Sequence, residues 1–290
     1  MFTGSLVAIV TPFRNGKVDE RALADLIEFQ LANGTDGIVP CGTTGESATL
    51  THEEHDRVVA LTVEVVRRRV PVIAGTGSNS TAEAIRLTQH AKSAKADGAL
   101  LITPYYNKPT QEGLYRHYKA VAEAVDLPLV LYNIPGRTGV NMAPSTVARL
   151  TDCKNIVAIK EGSGSVQQAS DVIQLCGERM TVLAGDDSLT LPMMALGGKG
   201  VITVTANLMP KCMADMVDAA LANRWDEARR LHYHLSPLFA ALFFETNPIP
   251  VKEALAMMGK ISLEVRLPLY TMGAEPKERL TRVLKEIGLV

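Results

Sequence analysis

A chain of 290 residues, 47% of them apolar, can bury the core of one large α/β domain or of two ordinary ones. The net charge is -1 and no run of like charge stands out, so the sequence does not predict a nucleic-acid or anionic-membrane surface. The apolar runs are too short to cross a bilayer, and the N-terminus lacks the features of a secretion signal. Four scattered cysteines without a CxxC pair favour reduced thiols in a cytoplasmic protein over metal or redox use.

Eight short apolar segments recur along the chain, about 20 to 35 residues apart, and each ends in small or polar residues. Helical periodicity fills the intervals; residues 21–31, for example, place their leucines and isoleucine on one face. Strands that are apolar throughout are typical of a parallel sheet covered on both faces. Eight such strand–helix units predict an α/β fold of the closed (β/α)8, or TIM-barrel, type. The segments begin at Ser5, Gly37, Val70, Gly98, Leu127, Ile156, Thr181 and Gly200.

Signals at helix starts agree with this alternation. Thr51 and Glu54 fit a capping box at the start of one helix, and Ser80 and Glu83 fit a second. An open doubly wound sheet is the alternative, but it should carry a GxGxxG fingerprint after its first strand. The residues that follow that strand here, 11–14, read TPFR instead.

The alternation stops near residue 208, where helical segments continue without convincing strands between them. We therefore predict a (β/α)8 barrel over residues 1–207 and a C-terminal helical extension over residues 208–290, packed on the barrel or on a neighbouring subunit. No Ser/Gly-rich linker separates the two, which favours one continuous structure. The helical segments of the extension are 212–221, 225–244 and 251–258.

In a barrel of this kind the carboxyl ends of the strands form the active face. Hydroxyl, phenol, guanidinium, amine and carboxylate groups follow several of the predicted strands, so we expect them to converge from separate parts of the sequence. The candidates are Thr43, Thr44, Glu46, Tyr105, Tyr106, Tyr132, Arg137, Lys160, Asp186 and Asp187.

Lys160 directly follows the four apolar residues 156–159 of a predicted buried strand. Burying an ammonium group is costly unless it is paired or loses its proton, so a lysine among apolar walls has a lowered pKa. The neutral amine is a nucleophile towards a ketone, with which it forms a Schiff base. The alternative is a lysine at the barrel rim paired with Glu161, and spacing alone does not decide between the two.

Three other candidates also have ordinary structural interpretations. Tyr132, taken alone, fits a core tyrosine, and Arg137 in its Pro-Gly turn fits a solvated loop charge. The GTTGE sequence at 42–46 fits a turn that ends a strand, although its consecutive backbone N–H groups are also suited to a carboxylate.

Metal binding is not expected from this sequence. Asp186 and Asp187 precede a serine, which is typical of a helix N-cap region. His52 and His55 are three residues apart rather than the four of an HExxH zinc motif, and no third ligand is evident.

Together these motifs resemble a known superfamily. GTTGE at 42–46, YNIPGRTG at 132–139 and IKEGSG at 159–164 resemble, in order and spacing, the pyruvate-dependent class I aldolases related to N-acetylneuraminate lyase. Within that superfamily the dihydrodipicolinate synthases are most similar, on residues 1–13, 104–118 and 247–252. The resemblance covers essentially the whole chain, and the combination is far more specific than any one motif.

The resemblance implies a lyase that needs no metal or organic cofactor, because Lys160 itself forms a Schiff base with pyruvate. The enamine tautomer would attack the aldehyde of L-aspartate 4-semialdehyde, and ring closure would give 4-hydroxy-tetrahydrodipicolinate, the first committed step of the diaminopimelate and lysine pathway. Tyr132 would be the general acid and base. Thr43 and Tyr106 would complete a hydroxyl chain, with Tyr106 reaching into the neighbouring subunit's site.

The same resemblance implies how the substrates are held. Thr43 and Thr44 would bind the pyruvate carboxylate, and the Arg137 guanidinium would bind the carboxylate of the semialdehyde. Gly185 and the backbone carbonyl of Ile202 would line the same pocket. The implied assembly is a homotetramer, built as a dimer of dimers.

An effector site is implied as well. In lysine-inhibited members of the family, seven matching residues line a cleft between two subunits that binds L-lysine, and the chain carries the bacterial lysine-sensitive residue at each of them. A carboxylate there suits the ammonium group of the effector, so we expect feedback inhibition by L-lysine. The seven residues are Ser47, Ala48, His52, His55, Asn79, Glu83 and Tyr105.

Two other functions compete with this one. The first is a lyase of the same superfamily that acts on N-acetylneuraminate or a 2-keto-3-deoxy sugar acid; Arg137 argues against it, because those relatives usually lack an arginine there. The second is a non-catalytic barrel that binds small acids or partners. The joint presence of Lys160, Tyr132 and Thr43 argues against that function.

Overall fold

Eight parallel strands form the sheet at the centre of the computed structural model, which describes residues 2–290. They are β1 (Gly4–Ala8), β2 (Gly37–Val39), β3 (Ile73–Gly75), β4 (Gly98–Ile102), β5 (Leu129–Asn133), β6 (Ile156–Glu161), β7 (Thr181–Ala184) and β8 (Gly200–Thr203). β1 pairs with both β2 and β8, and β3 to β8 pair in chain order. A parallel bridge between Ile38 and Val72 joins β2 to the segment before β3, which closes the barrel. All eight predicted strands and the (β/α)8 fold are confirmed.

Helices fill the intervals between the strands and follow the last of them. They are α1 (Glu20–Ala32), α2 (His52–Val66), α3 (Thr81–Ser93), α4 (Gln111–Ala124), α5 (Pro135–Thr138), α6 (Pro144–Leu150), α7 (Val166–Cys176), α8 (Thr190–Ala195), α9 (Pro210–Leu221), α10 (Trp225–Ala241), α11 (Ile249–Met257) and α12 (Ala274–Glu286). None of the helices within residues 2–290 combines the length and the apolarity needed to cross a membrane. Two elements were not predicted from the sequence: α12 and a small hairpin that pairs Phe13–Arg14 with Lys17–Val18.

Two apolar cores lie on opposite faces of the barrel wall. The larger lies between the sheet and the helices. The smaller fills the barrel interior, and each strand contributes to it with alternate residues. In β6, Ala158 belongs to the interior and Ile159 to the outer core. This alternation carries the Lys160 side chain into the interior and the Glu161 side chain outward.

The helix after the last strand, α9, packs against β1, as the eighth helix of a closed barrel does, and α10 packs on α9. The ring of helices is therefore complete only with residues 210–221. We predicted a barrel over residues 1–207 and an extension over residues 208–290, and this division stays a prediction. Residue 1 lies outside the described residues. The packing of α9 argues for a boundary after residue 221.

The two predicted capping boxes have different outcomes. At α2 both bonds form: the Glu54 N–H donates to Thr51 Oγ1 (3.2 Å), and the Thr51 N–H donates to Glu54 Oε2 (3.0 Å). At α3 the Glu83 N–H donates to Ser80 Oγ (3.5 Å), but the Glu83 carboxylate does not return to the cap. The prediction of a full second box is wrong, because other partners described below hold that carboxylate.

Candidate active site

Lys160 and Tyr132 lie side by side inside the barrel. They are paired residues on the adjacent strands β6 and β5, so their side chains leave the sheet in the same direction. Lys160 Nζ lies 4.4 Å from the centre of the Tyr132 ring, and only 5% of Lys160 is exposed. The strand therefore ends in a lysine because this position faces the interior of the barrel and not its rim.

Burial is also the main influence on the charge of Lys160. The loss of water around the ammonium group lowers the pKa of Lys160 to about 8. The nearby Asp187 carboxylate opposes this change, and the Arg137 guanidinium reinforces it. At neutral pH a useful fraction of the amine is therefore free to attack a carbonyl group.

The alternative in which Lys160 pairs with Glu161 does not hold. The Glu161 carboxylate faces the opposite side of β6, where it accepts hydrogen bonds from the Ser163 N–H (2.7 Å), Asn133 Nδ2 (3.2 Å) and Gln168 Nε2 (3.0 Å). These donors satisfy a buried carboxylate without a cation. Glu161 thus anchors the strand end from outside and leaves Lys160 unpaired on the inside.

The Tyr132 hydroxyl keeps its proton at neutral pH. Burial raises the pKa of Tyr132 to about 12, although the Arg137 charge and a hydrogen bond with Thr43 act in the opposite direction. A protonated phenol beside a reactive amine can deliver a proton to a departing hydroxyl group and take it back later.

The loop 42–46 that follows β2 is folded into tight turns. Its Gly45 and Glu46 N–H groups donate to the Gly42 and Thr43 carbonyls (both 3.1 Å). Within residues 2–290 the N–H groups of Thr43 and Thr44 have no hydrogen-bond acceptor. Two adjacent free N–H groups of this kind suit a carboxylate.

One residue that was not predicted from the sequence, Asn247, holds both Arg137 and Thr44. Asn247 lies just before α11; its carbonyl accepts from Arg137 Nη2 (3.0 Å), and its Nδ2 donates to Thr44 Oγ1 (3.0 Å). Arg137 lies on the short helix α5 rather than in an open loop, so its guanidinium is fixed. The one sequence feature that could have indicated Asn247 is its place in the segment 247–252, NPIPVK, which resembles the dihydrodipicolinate synthases.

Close backbone approach shapes the ends of β6 and β7. The Gly185 N–H donates to the Glu161 carbonyl (2.7 Å), and a Cβ at Gly185 would lie only 2.9 Å from the Gly162 Cα. A side chain at this position would force the two strands apart. Ile202 on β8 belongs to the interior core, where it is fully buried.

The two aspartates before α8 have distinct roles, and neither suggests a metal site. Asp186 Oδ1 accepts from the Ser188 N–H (2.9 Å), which confirms the N-cap interpretation. Asp187 is buried and accepts from the Val204 and Thr205 N–H groups (3.2 and 2.8 Å), and burial raises the pKa of its carboxyl group. Across residues 2–290, no three His, Cys, Asp or Glu side chains are grouped to hold a metal ion.

A cavity of about 520 Å³ connects the predicted substrate residues with the predicted effector residues. From the first set it is lined by Thr43, Tyr132 and Arg137. From the second set it is lined by Ser47, Ala48, His52, His55, Glu83 and Tyr105. Six other residues of the two predicted sets are not part of its lining, namely Lys160, Tyr106, Thr44, Gly185, Ile202 and Asn79.

Glu83 is the charged centre of the effector side of the cavity. Its carboxylate accepts from the Ser78 hydroxyl and lies 3.0 Å from His52 Nε2. The Ser78 hydrogen bond, followed by the His52 contact, lowers the pKa of the Glu83 carboxyl group. The bonds to Ser78 and His52 therefore explain this glutamate better than helix capping does, and they keep it ionised.

Two of the other predicted effector residues, His55 and Asn79, contact backbone carbonyl groups of the chain itself. His55 is buried, with Nε2 2.8 Å from the Gly75 carbonyl, and burial lowers the pKa of its imidazole. Asn79 Nδ2 donates to the Tyr105 carbonyl (3.2 Å). Tyr106 does not line the chain's own cavity: it is 89% exposed, and its φ of 73° is left-handed.

Comparison with known proteins identifies the family. The model of the "Dihydrodipicolinate synthetase family" matches residues 1–287. The chain belongs to this family. The 4-hydroxy-tetrahydrodipicolinate synthase of Geotalea uraniireducens is 64% identical, with all of both chains covered.

Two solved structures are informative for the site. The chloride-inhibited dihydrodipicolinate synthase of Acinetobacter baumannii, complexed with pyruvate, is 48% identical, covers 100% of both chains and has a TM-score of 0.98. The enzyme of Cyanidioschyzon merolae with lysine bound is 40% identical, covers 100% of this chain and 99% of its own, and has a TM-score of 0.97.

The lowered pKa of Lys160 predicts a pH dependence for imine formation. Below about pH 8 the amine is mostly protonated, so the initial rate with pyruvate should rise about tenfold per pH unit and level off near pH 9. Samples taken at intervals are reduced with borohydride at one fixed pH, and intact mass gives the adduct. A rate that keeps rising tenfold per unit beyond pH 9 would indicate an ordinary lysine.

Tyr132→Phe should lower turnover by about 10²–10⁴-fold with the fold retained, because only the proton-transferring hydroxyl is removed. Tyr118→Phe is the matched control: Tyr118 is also buried, and its hydroxyl only donates to the Leu101 carbonyl (3.3 Å). Steady-state rates and circular dichroism of both variants are the measurements. Equal losses in the two variants, or a loss below about threefold for Tyr132→Phe, would return Tyr132 to a packing role.

Proposed function

We propose that this protein condenses pyruvate with L-aspartate 4-semialdehyde to give 4-hydroxy-tetrahydrodipicolinate, the first committed step of the diaminopimelate and lysine pathway. The observation that carries the proposal is the unpaired, buried amine of Lys160 beside the protonated Tyr132 hydroxyl. Full-length identity of 64% to a relative of that name supports the choice of reaction.

The proposed reaction begins with the neutral Lys160 amine. It adds to the keto carbon of pyruvate, and Tyr132 supplies the proton with which the hydroxyl group leaves as water. The free N–H groups of Thr43 and Thr44 hold the pyruvate carboxylate during this step. The imine then loses a methyl proton and becomes an enamine, with the Lys160 nitrogen as the electron sink, so no metal or organic cofactor takes part.

The second substrate completes the ring. The enamine carbon attacks the aldehyde of the semialdehyde and leaves a hydroxyl group there, and the substrate's own amine then displaces Lys160 from the imine carbon. Arg137, fixed by the Asn247 carbonyl, holds the semialdehyde carboxylate. Gly185 and the Ile202 carbonyl, which lie outside the lining of the cavity, are the further residues that the family resemblance assigns to substrate binding. One water is released for each product formed, and the free lysine is regenerated.

The proposal predicts a single labelled lysine. Borohydride added with pyruvate should attach reduced pyruvate to Lys160 alone, because the other fully buried lysine, Lys252, is already paired with Glu46. Intact mass and peptide mapping locate the label, and Lys160→Ala is the control that should take none. Label on another lysine would contradict the assignment. Turnover of pyruvate with the semialdehyde, and none of N-acetylneuraminate, separates this function from that of the sugar-acid lyases.

We also propose that the protein is a homotetramer, a dimer of dimers, in which Tyr106 enters the neighbouring subunit's site. Its exposure and left-handed backbone support this. Leu267 and Tyr270 are also exposed, and they flank Pro268 and Leu269, which line the cavity. Exposed apolar side chains grouped in this way mark a contact surface.

Subunit mixing tests the role of Tyr106. Tyr106→Phe and Lys160→Ala should each be nearly inactive, but a hybrid dimer should hold one site with both residues intact and so recover part of the activity. Lys160→Ala mixed with Tyr132→Phe is the matched control, because Lys160 and Tyr132 belong to one barrel and no complete site can form. No recovery with Tyr106→Phe, despite exchange demonstrated by native mass spectrometry, would place Tyr106 in its own subunit's site.

The effector side of the cavity is proposed to bind L-lysine between two subunits. The ionised Glu83 carboxylate suits an ammonium group, and a relative has been solved with lysine bound. The lining is completed by His52, His55, Ser47, Ala48 and Tyr105, and Asn79 supports it by donating to the Tyr105 carbonyl.

The cytoplasmic location that we expect from the sequence is a separate point, and it stays a prediction.

Glu83→Ala should weaken inhibition by L-lysine by about tenfold or more in half-inhibitory concentration, because it removes the charged partner of the effector's ammonium. Glu28→Ala is the control, since Glu28 is a surface glutamate on α1 that is paired with Arg69. Each variant is compared with its own rate without lysine. If millimolar lysine leaves the unmodified enzyme unchanged, or if both variants respond alike, the effector assignment is wrong.

A further inference from the structure

A fully buried ion pair joins the C-terminal helices to the loop that the proposed function assigns to pyruvate. Lys252 on α11 and Glu46 at the end of the 42–46 loop have completely buried side chains, and Lys252 Nζ donates to Glu46 Oε1. The two residues are 206 positions apart in the chain. A buried pair of this kind is weak evidence for stability by itself, because desolvation opposes the attraction between the charges.

The surroundings of the pair satisfy both charges. The second carboxylate oxygen of Glu46 accepts from the Arg266 N–H (3.0 Å). The centre of the Phe13 ring lies 4.2 Å from Lys252 Nζ and 4.3 Å from Arg266 Cζ, so both cations contact this ring. The Arg266 guanidinium in turn binds both oxygens of Glu54, at the start of α2 (2.5 and 2.6 Å).

Glu46 also has an unfavourable backbone conformation. Its φ of 52° and ψ of 37° are left-handed, which is costly for a residue with a side chain. Such a conformation persists only where the surroundings enforce it. The preceding residues are held as well: the Gly45 carbonyl accepts from Thr11 Oγ1 (2.7 Å), and Thr44 Oγ1 accepts from Asn247 Nδ2 (3.0 Å).

We infer that Lys252 is a positioning residue that acts through Glu46. By fixing Glu46 in its left-handed conformation, Lys252 sets the turns of the 42–46 loop and so aims the free N–H groups of Thr43 and Thr44 at the pyruvate carboxylate. The inference rests on the proposed role of Thr43 and Thr44. It assigns Lys252 no contact with substrate; its effect is on how well the enzyme recognises a carboxylate.

The test compares pyruvate with methyl pyruvate, which has the same keto group but no carboxylate charge. Borohydride trapping gives the half-saturating concentration of each compound for Schiff-base formation on Lys160. Glu46→Gln combined with Lys252→Met removes both charges and keeps both side-chain volumes, so the fold should be retained. The preference for pyruvate over methyl pyruvate should fall by about tenfold or more, the size of one hydrogen bond to a charged group.

Two further variants separate positioning from folding. Lys252→Met alone leaves the buried Glu46 charge unpaired, so its urea midpoint should fall further than that of the double variant. Lys119→Met removes one partner of the exposed Lys119–Glu123 pair on α4 and should change neither the midpoint nor the preference.

The outcomes are distinguishable. A double variant that is folded and keeps the preference of the unmodified enzyme would overturn the inference and reduce the pair to a structural contact. If the unmodified enzyme forms no adduct with pyruvate at all, the proposed function fails, and the inference fails with it.

Discussion

Burial of the Lys160 amine inside the barrel is the constraint on which the site depends. Side chains alternate along a strand, so the interior receives Ala158 and Lys160 from β6, and Val130 and Tyr132 from β5. The closed barrel excludes water from these positions, and that exclusion moves two pKa values in useful directions. It lowers the pKa of Lys160 towards neutrality and raises the pKa of Tyr132 further above it. The exclusion of water thus favours both the nucleophilic amine form of Lys160 and the protonated phenol form of Tyr132.

The rim of the barrel is organised by residues distant in sequence. Asn247, Lys252 and Arg266 all belong to the part of the chain that follows the last strand, and each holds a group on the loops after β2 or β5. The C-terminal helices therefore do more than cover the barrel. They supply hydrogen bonds and charges that hold the loops after β2 and β5 in one conformation, which is the kind of support that a binding site on loops requires.

The sequence predicted the parts of this molecule that repeat or that carry local signals. The eight apolar segments, their alternation with helices and the capping box at Thr51 depend on neighbours within a few residues, and all are present. The hairpin at residues 13–18 was missed because two-residue strands leave no periodicity. The prediction of the second capping box was wrong because the Glu83 carboxylate binds Ser78 and His52 instead. The His52 contact joins residues 31 positions apart, which a local sequence pattern cannot indicate.

The candidate site was predictable to the same extent. Lys160 and Tyr132 stood at strand ends, and the resemblance supplied their roles. What spacing could not supply was which way each side chain faces: the choice between a paired rim lysine and an interior lysine needed the parity of β6 within the closed barrel. The Lys252–Glu46 ion pair could not be predicted either, because nothing in a single sequence indicates that two charges more than 200 residues apart are in contact.

The cavity that is continuous from Thr43 and Tyr132 to Glu83 has a thermodynamic consequence. Ligands at its two ends share walls and the loop between them, so an occupant of one end that shifts this loop alters the free energy of the other. Coupling of this kind is reciprocal. If an amine bound at Glu83 changes the affinity for a keto acid by some factor, the bound keto acid must change the affinity for the amine by the same factor. Under the proposed roles, an amine that weakened the binding of the keto acid would itself bind most weakly to the enzyme saturated with that keto acid.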